Sequence, residues 1–117
     1  MSKDLPVTLN YDGSAFGPVP ANVKAAGNDR ILFQLGASSV ANAKLRITIQ
    51  DDRHFSAKVL EHGPGQNGKE VLRVDVKPGF ATKTGYKCEL LDANGGLITA
   101  SGAGGEIEPD RGGVGNQ

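Results

Sequence analysis

The most nucleophilic side chain in the sequence is Cys88, the single cysteine among 117 residues. A cysteine becomes a reactive nucleophile when its thiolate is stabilised, for example by a neighbouring base. In the run "TGYKCELL", Cys88 alternates with Tyr86 and Leu90, which predicts a strand with these three side chains on its inward face. Lys87 would point the opposite way, so we expect a buried, unreactive thiol. One cysteine also excludes an intrachain disulfide and a zinc site of several cysteines.

The two histidines, His54 and His62, are too far apart in the sequence to act together. On one continuous strand their separation would be roughly 26 Å, at ~3.3 Å per residue, which excludes a shared metal ion or proton relay. In "DDRHF", the adjacent carboxylates would point to opposite faces of a strand or into solvent at a turn. They therefore do not form a convincing acid–base pair. We expect a surface ion pair between Asp52 and His54 instead.

Residues 63–68, "GPGQNG", match the G-x-G-x-x-G spacing of dinucleotide-binding loops. That motif works when it opens a helix whose N-terminus receives the pyrophosphate. Here the following run, "KEVLRVDV", alternates as a strand does, so we interpret the segment as a hairpin loop. The motifs of serine nucleophiles and of calcium loops are also missing from the sequence. The sequence therefore predicts no catalytic residue, no metal site and no cofactor, and thus a protein that is not an enzyme.

Basic and aromatic residues interleave between positions 73 and 87, where Phe80 and Tyr86 lie among lysines. Such a combination can bind single-stranded nucleic acid through phosphate contacts and base stacking. However, thirteen basic residues balance thirteen acidic ones, which argues against a strong grip on nucleic acid or anionic lipid. The alternative is that these residues coat exposed strand faces and protect edge strands. The candidate basic patch consists of Arg73, Lys77, Lys83 and Lys87.

The elements that must position these residues are short strands. Alternating apolar residues define runs that begin near Leu5, Ile31, Leu45, Phe55, Leu72 and Tyr86, with a last short strand near Ile107. The first run puts Leu5, Val7, Leu9 and Tyr11 on one face and ends at the turn pair Asp12-Gly13. The fourth run puts Phe55, Ala57 and Val59 on its inward face. The turn at Asn94-Gly95 suits positive φ and would return the chain through "LITAS" as a hairpin partner. No stretch of ten or more residues shows a helical period. The pattern predicts an all-β, single-domain antiparallel β-sandwich of about seven short strands.

The run Gly85-Tyr86-Lys87-Cys88 resembles the start of strand F in immunoglobulin-like domains. There a tyrosine two residues before a cysteine forms a tyrosine corner. The resemblance implies an immunoglobulin-like sandwich with such a corner at Tyr86. The chain has no tryptophan and no second cysteine. The same local pattern also arises in any strand whose inward face reads Tyr-x-Cys-x-Leu, and this alternative stays open.

Segment Gly13–Asp29 is the longest stretch without a clear period. We interpret it as a long loop or an irregular edge strand, with a turn of helix over Ala21–Ala26. Long loops in compact domains are often functional. Three apolar residues of this segment have no obvious inward face and form a candidate interaction loop: Phe16, Val19 and Val23. The alternative is that they pack over an open end of the sandwich.

The sequence assigns residues 1–108 to the sandwich domain and residues 109–117 to a disordered Gly-rich tail, because the tail has too little apolar area to offset its ordering entropy. No stretch approaches the ~18 apolar residues of a membrane span. The N-terminal residues lack the apolar core of a signal peptide. These features predict a cytoplasmic protein, or an exported one if a leader had been removed.

Together these features predict a non-enzymatic binding or protein-interaction module. Its partner is unknown, either a protein or a small ligand, and its oligomeric state is open. A small-molecule or carbohydrate-binding sandwich is the alternative, followed by a module that binds single-stranded nucleic acid. The sugar alternative is weakened because the chain has two tyrosines, four phenylalanines and no tryptophan, and most of these rings are expected to face inward.

Overall fold

The computed structural model of the chain describes residues 3–13, 16–38, 42–63, 70–98 and 103–110, without the side chains of residues 37, 38 and 103. These ranges contain nine β-strands and no helix, hence no helix that could span a membrane. The strands are β1 (Asp4–Tyr11), β2 (Phe16–Val19), β3 (Asn22–Ala25), β4 (Arg30–Ser38), β5 (Lys44–Ile49), β6 (Val59–Glu61), β7 (Leu72–Asp75), β8 (Thr84–Leu91) and β9 (Ala103–Pro109).

The strands form two packed sheets, which confirms the predicted all-β sandwich. Sheet A has the order β2-β1-β4-β7, and sheet B has the order β3-β9-β8-β5-β6. Most neighbouring strands are antiparallel, as predicted, but β1 runs parallel to β4 and β3 runs parallel to β9. Parallel neighbours need a crossover connection. Here β2 and β3 carry the chain from β1 to β4, so no crossover helix is required.

The core lies between the sheets and is built by period-two alternation. The predicted inward residues of β4, β5, β7 and β8 are buried: Ile31, Phe33, Leu35, Leu45, Ile47, Ile49, Leu72, Val74, Tyr86, Cys88 and Leu90. In β9, Ile107 is buried as well. Burial of each large apolar side chain contributes about 1.5–3 kcal/mol. The burial of these apolar side chains therefore determines which face of each strand points to the core.

The predicted continuous strand through Phe55, Ala57 and Val59 is wrong, although Phe55 is buried as predicted. Only Val59–Glu61 forms a strand there, and Leu60 rather than Val59 is buried. Residues 50–58 turn the chain instead: the Phe55 amide donates to the Asp52 carbonyl. Phe55 is buried, and its backbone forms an isolated β-bridge with Val76. Because these residues form a turn and not a continuous strand, the inward position in β6 is Leu60, one residue after Val59.

Segment Gly13–Asp29 contains two strands, where the sequence predicts a loop or an irregular edge strand. The predicted turn of helix over Ala21–Ala26 is wrong, because Asn22–Ala25 is β3. Val23 and Ala25 face the core while Asn22 and Lys24 are exposed, a period of two. The chain leaves sheet A after β2 and enters sheet B at β3. The peptide bond between Val19 and Pro20, at this crossing, is cis.

The predicted hairpin partner of β8 is only partly correct. Gly95 has a φ of 91°, and its amide donates to the Asp92 carbonyl, as expected for a tight turn. Beyond the turn, Leu97 forms an isolated bridge with Leu91. The antiparallel partners of β8 within sheet B are β5, which pairs with Tyr86–Leu91, and β9, which pairs with Thr84–Cys88. Residues 99–102, which include the end of "LITAS", lie outside the described residues.

A buried carboxylate fastens the first described residues to the sandwich. Asp29 accepts hydrogen bonds from the amides of Lys3 and Ala26, both at 2.9 Å. The Lys3 ammonium contacts Asp110 at 3.0 Å, and the Asp110 amide donates to the Ala25 carbonyl. Strand β9 thus continues through Pro109, the residue at which the sequence begins the tail, and residues 111–117 lie outside the described part of the chain.

Candidate functional site

The structure buries Cys88 completely on the inward face of β8, as predicted. Burial raises the pKa of its thiol to about 12, because the thiolate is poorly solvated there. Burial also raises the pKa of the neighbouring Tyr86 hydroxyl. Cys88 is therefore a packing residue at neutral pH, and its surroundings favour the uncharged thiol.

Tyr86 bonds to a different part of the chain than the immunoglobulin resemblance implies. A tyrosine corner bonds to backbone a few residues upstream. The Tyr86 hydroxyl instead donates to the Ala21 carbonyl at 3.1 Å, where the chain passes from β2 to β3. The same carbonyl accepts a hydrogen bond from the Glu106 amide at 3.0 Å. Gly105 allows this approach, because a Cβ there would overlap the Ala21 carbonyl oxygen.

The turn before Phe55 holds its charges in a local pair. Arg53 and Asp51 form the ion pair of this turn, with Nη2 and Oδ2 at 2.6 Å, whereas the sequence predicts a pair of Asp52 with His54. The Arg53 guanidinium lowers the pKa of the Asp51 carboxyl to about 2. The His54 ring lies 6.3 Å from the ring of Phe80. Asp51, Arg53 and His54 therefore have structural contacts at this turn.

His62 is buried and both of its ring nitrogens are occupied. Nδ1 accepts a hydrogen bond from the Leu45 amide at 3.0 Å, and Nε2 lies 2.6 Å from the Glu70 carbonyl, to which it donates. The ring therefore joins β5 to the segment that precedes β7. The described ranges contain no group of three or more His, Cys, Asp or Glu residues that could hold a metal ion. Of the "GPGQNG" segment, only Gly63 lies within the described residues.

The candidate basic patch does not form one surface. Arg73 belongs to β7 in sheet A, whereas Lys87 belongs to β8 in sheet B. Three of the four residues contact an acid: Arg73 with Asp75 at 3.1 Å, Lys83 with Glu106 at 3.6 Å, and Lys87 with Glu89 at 3.8 Å. Lys77 is exposed just beyond β7. This arrangement matches the alternative interpretation, in which basic residues solvate strand faces.

A charge cluster that the sequence analysis missed lies on the outer face of sheet B. Arg46 Nε donates to Glu89 Oε1 at 2.7 Å across the β5–β8 pair, where the two residues are directly opposite. The Glu89 side chain is only 9% exposed. The hydrogen bond from Arg46 lowers the pKa of Glu89 and raises the pKa of Arg46. The pair holds the sheet together rather than offering a free charge.

Within the described part of the chain, a shallow groove on the β1–β2 hairpin is a candidate surface for binding another molecule, and we call it the hairpin groove. It encloses about 400 Å³ and is lined mainly by apolar atoms. Its lining residues are Asn10, Tyr11, Asp12, Phe16, Gly17, Pro18 and Val19. The hairpin lies at one edge of sheet A, because β2 is the terminal strand of that sheet.

Two aromatic rings form one side of the hairpin groove. Tyr11 and Phe16 are register partners across the β1–β2 pair, and their ring centroids lie 6.2 Å apart at an interplanar angle of 79°. Both side chains are half-buried and pack against the core, so the core holds them in place. Val19 points to the opposite face of β2 and is 61% exposed. The groove therefore extends around the open edge of the strand.

The structure brings two of the three residues of the candidate interaction loop to the hairpin groove and buries the third. Phe16 and Val19 both line the hairpin groove. Val23 does not, because its side chain is 5% exposed and faces the core from β3 opposite Ile107. Tyr11 is the lining residue that the sequence analysis placed only on an inward face. Tyr11 ends an alternating run and stands beside the Asp12-Gly13 turn. This position in the sequence could have indicated that its ring lies at the rim of the sandwich.

A second recess lies between β6 and the turn after β8, but its polar groups are committed internally. It encloses about 460 Å³ and is lined in part by Lys44, His62 and Asn94. The Lys44 ammonium donates to the Gly63 carbonyl at 3.2 Å. The ring of His62 is held by its two hydrogen bonds. The hairpin groove, in contrast, presents apolar side chains to solvent.

Comparison with known proteins gives a likeness of fold. No protein-family model and no curated protein sequence matches the chain. Among solved structures, the chain is similar to the cysteine protease inhibitor EhICP2 from Entamoeba histolytica, with 16% identity, a TM-score of 0.48, and coverage of 92% of this chain and 97% of that chain. A likeness this distant carries no information about what the present chain binds.

Proposed function

We propose that this chain is a non-enzymatic protein-interaction module that contacts its partner through the hairpin groove. The observation that carries the proposal is the exposure of apolar and aromatic side chains in one groove at an edge of the sandwich. Aromatic residues are enriched at the centres of protein interfaces, since they bury a large area at small conformational cost.

Buried residues of the hairpin support the side chains that line the groove. Strand β1 is the inner strand of the hairpin, and its Val7 and Leu9 are completely buried. The rings of Tyr11 and Phe16 pack against this core on one side and line the groove on the other. A surface that is preformed in this way loses little conformational entropy when a partner binds.

A substitution at Val19 tests the proposal, because this side chain lines the groove and is mostly exposed. A displayed library of random linear peptides is panned against the immobilised wild-type chain, and enriched peptides are titrated by fluorescence anisotropy. Val19→Asp should weaken their binding by roughly tenfold or more, because it places a carboxylate in an apolar contact. The matched control is Val59→Asp, at a 47% exposed valine of β6 in the other sheet, which should bind like the wild type.

Two results would contradict the proposal. Peptides that bind Val19→Asp as tightly as the wild type would place the contact surface elsewhere on the molecule. A panning experiment without enrichment would show that the groove has no affinity for linear peptides. Thermal unfolding of both valine variants confirms that any loss of binding is not a loss of folding.

A further inference from the structure

We propose that His62 is a pH-sensitive latch, which holds β5 to the residue before β7 while its ring is neutral and releases it when the ring gains a proton. The hairpin groove lies at the β2 edge of sheet A, whereas His62 lies beside the chain entering β7, at the other edge of that sheet. The latch and the proposed function are therefore independent of each other.

The partners of the His62 ring determine which of its nitrogens carries a proton. The Leu45 amide donates to Nδ1 at 3.0 Å, so Nδ1 must offer a lone pair. The Glu70 carbonyl lies 2.6 Å from Nε2 and can only accept, so Nε2 must carry the hydrogen. Both bonds therefore require the neutral ring with its proton on Nε2.

A second proton on the ring is incompatible with this arrangement. An imidazolium donates from both nitrogens, so the N–H of Nδ1 would face the N–H of Leu45 at 3.0 Å. The His62 residue is only 3% exposed, and a buried amide that loses its acceptor is costly. The charged ring must therefore leave its position, or the end of β6 must move away from β5. In both cases the ring no longer joins the two segments.

The latch links the two sheets on one side of the sandwich. Strand β6 is terminal in sheet B, and β7 is terminal in sheet A. Before β6 and after β7, Phe55 forms an isolated bridge with Val76. After β6 and before β7, the His62 ring bonds to the Glu70 carbonyl. Protonation of the ring would therefore open this side at one end and leave the bridge at the other end in place.

The elements around the ring carry charges of both signs. Lys44 of β5 and Glu61 of β6 line the same recess as the ring, and Glu61 contacts the Arg46 guanidinium at 4.0 Å. Glu70, before β7, is exposed. Asp92, in the turn after β8, accepts hydrogen bonds from two amides of its own turn. The conflict at Nδ1 does not depend on these charges, because it arises between two donors.

NMR spectroscopy of the isotope-labelled chain tests the latch from about pH 7.5 to about pH 5, across the range in which imidazole ordinarily changes charge. At the upper end, the ring nitrogen shifts of His62 should show the proton on Nε2, and a scalar coupling across the hydrogen bond should join Nδ1 to the Leu45 amide nitrogen. This coupling should disappear as the ring gains its second proton.

Hydrogen exchange measures whether the latch opens. The Leu45 amide donates to the ring, and the His62 amide donates to the Leu45 carbonyl at 3.2 Å. The protection factors of both amides, which correct for the intrinsic pH dependence of exchange, should fall by roughly tenfold or more when the ring is protonated. The Ile49 amide is the internal control. It donates to the Lys58 carbonyl at 2.8 Å at the other end of the same strand pair and should keep its protection.

Two variants assign the response to one histidine. His54→Gln leaves His62 as the single histidine of the chain and should keep the full response to pH. His62→Asn places a side-chain oxygen near the position of Nδ1, where it can accept from the Leu45 amide without changing charge. In this variant the protection of the Leu45 amide should no longer depend on pH.

Four results would overturn the inference. The first is a His62 ring that keeps its neutral nitrogen shifts until the chain unfolds in acid. The second is a Leu45 amide that stays protected beside a protonated ring, since the end of β6 would then remain closed. The third is an equal loss of protection at Leu45 and Ile49, which would be a global loss of stability. The fourth is a response that His54→Gln removes. The wild type and His54→Gln decide among these results even if His62→Asn does not fold.

Discussion

The hydroxyl of Tyr86 donates a hydrogen bond to the carbonyl of Ala21, a residue 65 positions away in the chain. This carbonyl also accepts a hydrogen bond from the Glu106 amide, so a single oxygen joins the β2–β3 crossing to β8 and β9. The bond fixes the point at which the chain passes from sheet A to sheet B. The hairpin groove lies immediately before this crossing, at β2.

Tyr86→Phe should lower the free energy of unfolding by about 1 kcal/mol, the net value of one hydrogen bond. The cost stays small because the Ala21 carbonyl keeps its bond from the Glu106 amide. Urea denaturation of the two proteins gives the difference. A loss far above this range would mean that the hydroxyl does more than satisfy Ala21.

Gly105→Ala should be strongly destabilising, by about 3 kcal/mol or more, because overpacking forces the backbone to move. The added methyl would overlap the Ala21 carbonyl oxygen and approach the Tyr86 hydroxyl. Chemical denaturation measures the effect. Gly17→Ala is the control, since a Cβ there meets no atom within 4 Å, and this variant should be at least as stable as the wild type. Equal stability of both variants would contradict the close approach at Gly105.

Cys88 should resist thiol reagents in the native protein and react fully in denaturant. Its side chain is completely buried, and burial raises the pKa of the thiol to about 12. Titration with a chromogenic disulfide reagent, with and without guanidinium, measures both states. Rapid reaction of the folded chain would show that β8 presents a different face to the core.

Stability should fall at acidic pH in part because Glu89 loses its bond with Arg46. Arg46 lowers the pKa of Glu89 in the folded state. The pair therefore stabilises the fold above the unfolded carboxyl pKa of about 4.3, and this contribution is lost as the pH falls through the lower folded-state value. Glu89→Gln should cost about 1–2 kcal/mol at neutral pH. It should also flatten the dependence of unfolding free energy on pH between neutrality and pH 3.

The control for this profile is Asp51→Asn. Asp51 also has a lowered pKa, but its ion pair with Arg53 is local and solvent-exposed. Exposed pairs contribute little to stability because solvent screens them, so this variant should keep most of the acid sensitivity of the wild type. If Glu89→Gln retained the full wild-type profile, the titrating group that governs acid stability would lie elsewhere.

Phe16→Ala should cost about 1–2 kcal/mol in stability, less than the ~3–5 kcal/mol of a fully buried phenylalanine. The ring packs against the core on one side and lines the groove on the other, so only part of its surface is removed from water. Thermal or urea unfolding measures the loss. A cost as large as that of a core phenylalanine would remove Phe16 from the groove surface and leave Tyr11 and Val19 as its contact residues.

The sequence predicted which face of each strand is buried better than it predicted the order of the strands in the sheets. Alternation placed Ile31, Leu45 and Tyr86 inward because burial on a sheet follows a period of two. It could not show that β1 lies between β2 and β4, since the choice of neighbour depends on packing between distant segments. The face predicted for Val59 was wrong because the residues before it form a turn. An alternating pattern alone does not distinguish such a turn from a continuous strand.

The candidate site was partly visible in the sequence for a similar reason. Phe16 and Val19 were recognised because they lack an inward pattern in an irregular stretch. Val23 belongs to the same stretch, yet the passage into sheet B turns it toward the core. Tyr11 was assigned to the interior because its strand alternates up to that point. Its half-buried side chain and its place in the lining of the hairpin groove show that the ring also reaches the surface.

The bond between Lys3 and Asp110 has a practical consequence for experiments on this molecule. Strand β1 starts beside Lys3 and runs for eight residues to Tyr11, a span of roughly 25 Å at ~3.3 Å per residue. The end of the sandwich that this ion pair closes therefore lies at the opposite end of β1 from the groove. A dye or a surface anchor placed there, on a position other than Lys3 and Asp110, would keep the ion pair and would sit far from the groove.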